Sequence, residues 1–181
     1  MSISDRLIEM LTRQGGAMYG NEAVTQLAHA LQCAWLAERS GAPDTTIAAC
    51  LLHDVGHMVL DDDAEAAEEG IDLQHEKVGA QYLSEWFGPA VTQPVELHVA
   101  AKRYLCTTEP TYFATLSPAS VTSLNVQGGH YTTREAEHFG TLPFVDEAIR
   151  LRRWDDHAKR ADAKTPPVTH FRKFIEASLR P

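Results

Sequence analysis

Residues 48–57 read AACLLHDVGH, and this stretch decides the fold. Its apolar run follows Pro43, a residue favoured in the first turn of a helix, and leads into the adjacent pair His53 and Asp54. Burying an aspartate among apolar residues is costly unless an opposite charge or a metal ion compensates it. The stretch therefore predicts a buried helix that ends on two metal-ligating side chains, with Gly56 stopping it.

Helical periodicity continues on both sides of this stretch, and no run alternates with the period of a strand. Gly41 is expected just past the end of one helix, and Pro94 is expected to kink another. The acidic residues 61–69 are expected to form a solvated loop. The chain is therefore predicted to be one all-α domain over residues 1–181. In addition to the helix that leads into His53, helices are expected over residues 3–14, 22–40, 73–87, 89–104, 117–126, 143–160 and 167–179.

Bulk composition excludes several classes of function. A net charge of -9 argues against a nucleic-acid or anionic-membrane partner. The cysteines Cys33, Cys50 and Cys106 lack CxxC spacing, so neither a disulfide framework nor a zinc ribbon is indicated. Neither a signal peptide nor an apolar run of transmembrane length is evident, and a cytoplasmic location is expected. Composition leaves the oligomeric state open.

Five of the nine histidines fall between residues 29 and 98, each in or beside a predicted helix. A single histidine on a helix is more often a hydrogen-bonded core residue than a ligand, but the pair His53 and Asp54 changes that balance. His29 on the preceding helix and an aspartate on a late helix would converge with them on one metal. In the late segment both Asp155 and Asp156 are available, and spacing alone leaves the choice open, with the other expected to be a surface charge.

The order His29, His53-Asp54, then a distant aspartate resembles the H…HD…D signature of HD-domain proteins. That signature by itself implies a metal-dependent phosphohydrolase. His75 and His98 resemble the additional ligands of the dinuclear branch, which contains both phosphodiesterases and mixed-valence di-iron oxygenases.

A closer resemblance spans most of the chain, from Tyr19 to about Lys173. It is to the PhnZ-type family of phosphonate-cleaving HD-domain oxygenases, and it matches Asp155 as the late ligand. The stretches that carry the resemblance are YGNEAVTQLAHALQCA, AACLLHDVGH, QHEKVGAQYL, HVAAKRYL, SVTSLNVQGG and RRWDDHAK.

The resemblance implies two iron ions, Fe(II) and Fe(III), with O2 as co-substrate. The implied reaction cleaves the C–P bond of a small organophosphonate, a (1R)-1-hydroxy-2-ammonioethylphosphonate, and releases phosphate with glycine or, from the trimethylated form, glycine betaine. Formal charges leave roughly +3 on the iron pair after both aspartates, which suits a phosphonate dianion. The implied metal ligands, with Asp54 bridging, are His29, His53, Asp54, His75, His98 and Asp155.

The resemblance also implies residues that contact the substrate. Lys102 shares a helical face with His98, four residues earlier. Tyr19 is implied as a gate on the metal site, and Glu22 as the partner of the substrate's ammonium group. The implied phosphonate-binding residues are His57, Lys102, Ser120, Ser123 and Gln127.

Two segments depart from the family pattern, Gly20-Asn21 and residues 130–132. Small residues beside Tyr19 would leave room for a trimethylammonium group, so primary amine and trimethylammonium both stay open, with a slight preference for the latter. The alternative functions are a dinuclear HD phosphohydrolase and a non-catalytic metal-dependent binding or sensory module.

Overall fold

The protein is built from helices, as seen in a computed structural model that describes residues 1–60 and 70–181. Within these residues there is no strand, only isolated β-bridges that join Met18 to Thr25 and Phe87 to Leu179, so the all-α prediction is confirmed. The expected acidic loop at 61–69 lies outside the described residues. The α-helices are α1 (Ile3–Gln14), α2 (Gln26–Arg39), α3 (Asp44–Leu52), α4 (Val55–Leu60), α5 (His75–Leu83), α6 (Pro89–Thr108), α7 (Pro118–Val126), α8 (Thr133–Phe139), α9 (Val145–His157) and α10 (Arg172–Ser178), and 3₁₀ turns occupy Phe113–Thr115 and Val168–Phe171.

Capping side chains determine where the helices begin. Thr25 accepts a hydrogen bond from the backbone of Ala28, so α2 begins after Thr25 and not at Glu22 as expected. The helix ends as expected, because Gly41 adopts φ +74°, the left-handed conformation typical of a helix C-terminus. The late start of α2 places Glu22 in a loop.

The prediction that Gly56 stops the buried helix is wrong. That helix ends at Leu52, and Gly56 lies inside the next helix, α4. A Cβ on Gly56 would lie 1.9 Å from the carbonyl oxygen of His75. The glycine therefore allows close contact between α4 and the start of α5.

Three other segments differ from the expected pattern. Helix α8 was not expected, although Thr132 and Glu135 form the capping box that typically starts a helix. Helix α6 begins at Pro89 as expected but extends to Thr108, beyond the expected end at residue 104. The C-terminal helix begins only at Arg172, after a 3₁₀ turn.

Helix α3 lies in the middle of the molecule. Every side chain from Thr46 to Leu52 is buried, and α3 packs against α2, α6, α9 and α10. A helix that is apolar all round is stable only when neighbours cover every face. The end of α3 therefore delivers His53 and Asp54 into the interior. None of the described helices combines the length and hydrophobicity needed to cross a membrane.

Candidate metal centre

All six side chains expected to bind metal lie together in the interior. His53 and Asp54 occupy the short connection between α3 and α4. The others come from α2, the first residue of α5, α6 and α9, so four helices and one connection contribute. All are buried except the half-buried His75.

The imidazoles of His29 and His53 are oriented by the protein backbone. The Nδ1 atom of His29 lies 2.9 Å from the carbonyl oxygen of Ala158, and that of His53 lies 2.9 Å from the carbonyl oxygen of Cys50. Because a carbonyl only accepts, each Nδ1 carries the proton and donates it. The two Nε2 atoms then face each other at 3.2 Å. Two unprotonated Nε2 atoms at this distance repel unless a cation lies beside them. In the metal-free chain that cation is a proton, because, although burial opposes protonation, the charge of Asp54 raises the pKa of His53 to about 10.

A second histidine pair repeats this arrangement. The Nε2 atoms of His75 and His98 lie 3.3 Å apart. The Nδ1 atom of His98 donates to the carbonyl oxygen of Val95 at 2.7 Å, so its Nε2 lone pair also points inward.

Asp54 lies between the two histidine pairs. Its Oδ2 is 3.1 Å from Nε2 of His53 and 3.6 Å from that of His29, whereas its Oδ1 is 3.4 Å from Nε2 of His75 and 3.5 Å from that of His98. Among the described residues neither oxygen has a well-formed hydrogen bond, although both are buried. Burial opposes ionisation of Asp54, but the nearby histidines outweigh it and hold the pKa of the carboxyl well below its ordinary value. An ionised carboxylate with one oxygen toward each pair has the geometry of a metal bridge.

Asp155 lies beside His29 and His53 and forms a group of three possible ligands with them. Its Oδ1 lies 3.3 Å from Nε2 of His29, and its Oδ2 lies 2.8 Å from Nη1 of Arg152. Although burial opposes ionisation, the charge of Arg152 lowers the pKa of Asp155 well below its ordinary value. Asp155 is therefore available as an ionised ligand.

Asp156, the alternative to Asp155, has a different role. The interpretation of the second aspartate as a surface charge is wrong, because Asp156 accepts hydrogen bonds from the guanidinium of Arg152 and the hydroxyl of Tyr112. Sequence reasoning missed Arg152, although its i,i+3 and i,i+4 spacing to the two aspartates is a recognisable signal for helical ion pairs.

The donor set fits two metal ions. Three overlapping groups each place their ligand atoms within 4.8 Å of one another, and Asp54 belongs to two of them. Buried imidazole and carboxylate donors suit iron, manganese or zinc better than calcium. The inward lone pairs and the Asp54 oxygens, which lack hydrogen bonds among the described residues, are the features that a metal pair would satisfy. The groups are His29, His53 and Asp155; His53, Asp54 and His98; and Asp54, His57 and His75.

His57, which was expected to contact phosphonate, lies directly beside the expected metal ligands His75 and Asp54. Its ring stacks on that of His75 with centroids 3.9 Å apart, and its Nε2 lies 3.9 Å from Oδ1 of Asp54. Burial, reinforced by the neighbouring His75, lowers the pKa of His57 to about 3. The imidazole is therefore neutral at ordinary pH and can donate or accept a hydrogen bond.

The other expected phosphonate-binding side chains lie along α6 and α7. The Nζ atom of Lys102 donates to Oγ of Ser123 at 2.7 Å, and Ser120 is buried one turn earlier on α7. Burial, with the like charge of Arg152, lowers the pKa of Lys102 to about 7. The Oε1 atom of Gln127 is buried with no hydrogen-bond partner among the described residues.

Tyr19 and Glu22 lie in the loop before α2. The Tyr19 ring stacks on that of His29 with centroids 3.9 Å apart. Burial and the negative charges of Asp155 and Asp54 raise the pKa of Tyr19 well above its ordinary value, so its phenol is protonated. Glu22 accepts a hydrogen bond from Ser117 and lies 3.3 Å from Nζ of Lys159. Sequence reasoning missed Lys159, which follows the end of α9 and has no periodic signal.

Comparison with known proteins finds relatives that match most of the chain. A model of the HD domain matches residues 24–156. The chain is 46% identical to a hydroxymethylphosphonate dioxygenase of Gimesia maris, over 96% of this chain and 86% of the relative. It is 40% identical to a [1-hydroxy-2-(trimethylamino)ethyl]phosphonate dioxygenase (glycine-betaine-forming) of Leisingera caerulea, over 91% of this chain and 84% of that one. An uncharacterized protein of Acanthamoeba polyphaga mimivirus is 33% identical over 93% of this chain and 78% of its own length.

Proposed function

The chain belongs to the HD-domain family and, within it, to the phosphonate dioxygenases, and we propose that it uses O2 to cleave the C–P bond of a 1-hydroxyphosphonate. The proposed cofactor is a mixed-valence pair of iron ions, Fe(II) and Fe(III). The small-molecule phosphonate is its proposed partner, and a reducing, cytoplasmic compartment suits the free cysteines.

The position of Asp54 is the observation that carries the proposal. One of its oxygens faces His29 and His53, and the other faces His75 and His98. A mononuclear site needs only one of these pairs, so the second pair supports a dinuclear centre. When bound, a mixed-valence iron pair supplies the site at which O2 is activated and the hydrogen on C1 is removed.

The proposed reaction needs no external reductant. One 1-hydroxyphosphonate and one O2 balance to one carboxylic acid and one phosphate, with the C–P bond broken and both oxygen atoms retained in the products. The chain's own contribution is to hold the phosphonate. Lys102, which donates to Ser123, would supply the cationic group for a phosphonate dianion, and His57, which stacks on His75, would supply a hydrogen bond.

Tyr19 is proposed to gate the centre. Its ring covers the His29 imidazole. Burial and the negative charges of Asp155 and Asp54 keep its phenol protonated. Displacement of this ring by substrate would open the centre only when a phosphonate is present, which would limit unproductive reaction of reduced iron with O2.

Oxygen dependence tests the proposed function. Iron-loaded protein should release phosphate from a 1-hydroxyphosphonate in air and should release none under anaerobic conditions. Asp54→Asn should abolish release, whereas the matched change at the exposed Asp162, Asp162→Asn, should leave the rate unchanged. Equal phosphate release without O2 would establish a phosphohydrolase instead.

Electron paramagnetic resonance provides a second test. A partly oxidised, iron-loaded sample should give the signal of an antiferromagnetically coupled Fe(II)/Fe(III) pair, and adding a hydroxyphosphonate should shift it. Full iron loading without that signal would contradict the mixed-valence assignment.

A further inference from the structure

Glu76 has a buried carboxylate that neither the ligand set nor the expected substrate contacts explain. Its Oε2 is buried and has no hydrogen-bond partner among the described residues. Within the same residues, the other side-chain oxygens in this condition belong to Asp54, Asp155 and Gln127, which are expected to bind metal or phosphonate. A glutamate in the first turn of a helix interacts favourably with the helix N-terminus without being buried. The burial of Glu76 therefore requires a donor or a cation beside it.

The imidazole of His75, the preceding residue, is such a group. Its Nδ1 lies 3.8 Å from Oε2 of Glu76. Its Nε2, on the other side of the ring, lies 3.3 Å from Nε2 of His98 and 3.4 Å from Oδ1 of Asp54. Glu76 thus lies on the side of the imidazole that faces away from the metal centre, and it belongs to none of the three groups of possible ligands found among the described residues.

The other three histidines of the ligand set are held in a different way. The Nδ1 atoms of His29, His53 and His98 each lie 2.7 to 2.9 Å from a backbone carbonyl oxygen. In the part of the chain that the structure describes, Nδ1 of His75 has no such carbonyl, and the carboxylate of Glu76 lies on that side instead. A metal-binding imidazole almost always donates its second N–H to a carboxylate, a carbonyl or water, which fixes the tautomer and the orientation of the ring. For His75 that acceptor is a side chain.

Metal binding and the Glu76 carboxylate should strengthen each other. Within residues 1–60 and 70–181, His75 is the only ion-pair partner of Glu76. A metal ion on Nε2 polarises the Nδ1–H bond, and a hydrogen bond to an ionised acceptor is shorter and stronger than a neutral one. Closing the separation by about 0.8 Å would give an ordinary N–H···O hydrogen bond. The carboxylate in turn makes the imidazole a stronger donor to the metal.

We infer that Glu76 is a positioning residue for the second metal ion, the one that His75, His98 and Asp54 would hold. Its carboxylate accepts the Nδ1–H of His75 and thereby keeps Nε2 directed at that ion. Glu76 itself contacts neither the metal nor the substrate. This inference rests on the dinuclear centre of the proposed function and is independent of the C–P bond cleavage.

Zinc binding tests the inference, because it needs neither O2 nor turnover. Titration of the metal-free protein with Zn(II) should resolve two ions per wild-type chain. In Glu76→Ala the second ion should bind about 10- to 100-fold more weakly, whereas the affinity for the first should change by less than about 3-fold. Glu76→Gln keeps an oxygen that can accept the Nδ1–H, so it should lose less affinity than Glu76→Ala. The matched control Glu85→Ala removes an exposed glutamate just beyond the end of α5 and should bind both ions as the wild type does.

Nuclear magnetic resonance of the imidazoles in the zinc-loaded protein provides a readout that general destabilisation would not reproduce. The Nδ1–H of His75 should give a signal protected from exchange with water in the wild type and in Glu85→Ala. Glu76→Ala should lose this signal and keep those of His29, His53 and His98, whose acceptors are backbone carbonyls.

Undiminished binding of the second zinc ion by Glu76→Ala would overturn the inference. Equal weakening of both ions would overturn it as well, because it would show a general structural role. So would a loss in Glu76→Gln as large as that in Glu76→Ala. The proposed function fails by a different result, the absence of O2-dependent phosphate release by the iron-loaded wild type, and that result leaves the zinc affinities unaffected.

Discussion

Arg152 lies one helical turn before Asp155 on α9, and its Nη1 is 2.8 Å from Oδ2 of that carboxylate. Both side chains are almost fully buried. Arg152 also pairs with Asp156 and donates to Tyr112, so one guanidinium holds two aspartates that sequence spacing could not tell apart. It leaves Oδ1 of Asp155 directed at His29.

Loss of this guanidinium should therefore lower the free energy of unfolding and reduce the amount of metal bound at the centre. Arg152→Met leaves two buried carboxylates without their cation, and removing one member of a buried ion pair costs about 3–5 kcal/mol. Urea denaturation should show this loss, and the metal content should fall. Arg153→Met is the matched control, because Arg153 forms an exposed pair with Glu109 and should change stability by less than about 1 kcal/mol. Equal stabilities of the two variants would contradict this role.

Each of the two histidine pairs should bind one metal ion, and disrupting one pair should leave the other able to bind its ion. Elemental analysis should find about two ions per chain in the wild type and about one in His98→Ala, since the pair at His29 and His53 remains. The exposed His138 provides the control, and His138→Ala should retain both ions. Two tightly bound ions in His98→Ala would rule out the assignment of His98 as a ligand.

Burial of the Lys102 ammonium should lower the free energy of unfolding of the metal-free protein. The same ammonium is expected to bind the phosphonate. Its pKa is lowered from 10.5 to about 7 by burial, so between these pH values the unfolded chain binds a proton that the folded chain does not. Wild-type stability should therefore decrease as pH falls from 10.5 to 7 and then level off. Lys102→Met should be more stable at pH 7, by up to about 4 kcal/mol, and this difference should shrink as pH rises.

Thermal unfolding across this pH range measures the effect, and phosphonate affinity should fall in the same variant. Lys77→Met, at an exposed lysine, should show neither change. A Lys102→Met protein that is less stable than the wild type at every pH would show that the hydrogen bond to Ser123 outweighs the burial of charge.

Gly56 should be required for the second metal. A Cβ there would lie 1.9 Å from the carbonyl oxygen of His75, so Gly56→Ala must push α5 away from α4. We expect a loss of about 3 kcal/mol or more and a reduced metal content, because His75 begins α5. Gly16→Ala, where nothing lies within 4 Å of the added carbon, should retain full metal content. Normal metal binding by Gly56→Ala would show that α5 can shift without moving His75 out of place.

The sequence by itself determined the helical class, most helix positions and the types of ligand. Apolar periodicity indicates which faces are buried, and the pair His53 and Asp54 at the end of an apolar run is too costly to bury without a compensating charge. These are local properties, since they depend on residues a few positions apart. The capping box at Thr132 belongs to the same class of signal and would have predicted α8.

Only the tertiary structure decided how distant side chains meet. The resemblance matched Asp155 as the ligand, but the pairing of Asp156 with Arg152 and Tyr112 depends on the packing of α9 against the segment after α6. The contact of Lys159 with Glu22 joins residues 137 positions apart, and no periodicity reports on such a distance. Chain packing thus placed a positive charge beside Glu22, where local sequence suggested only an anion.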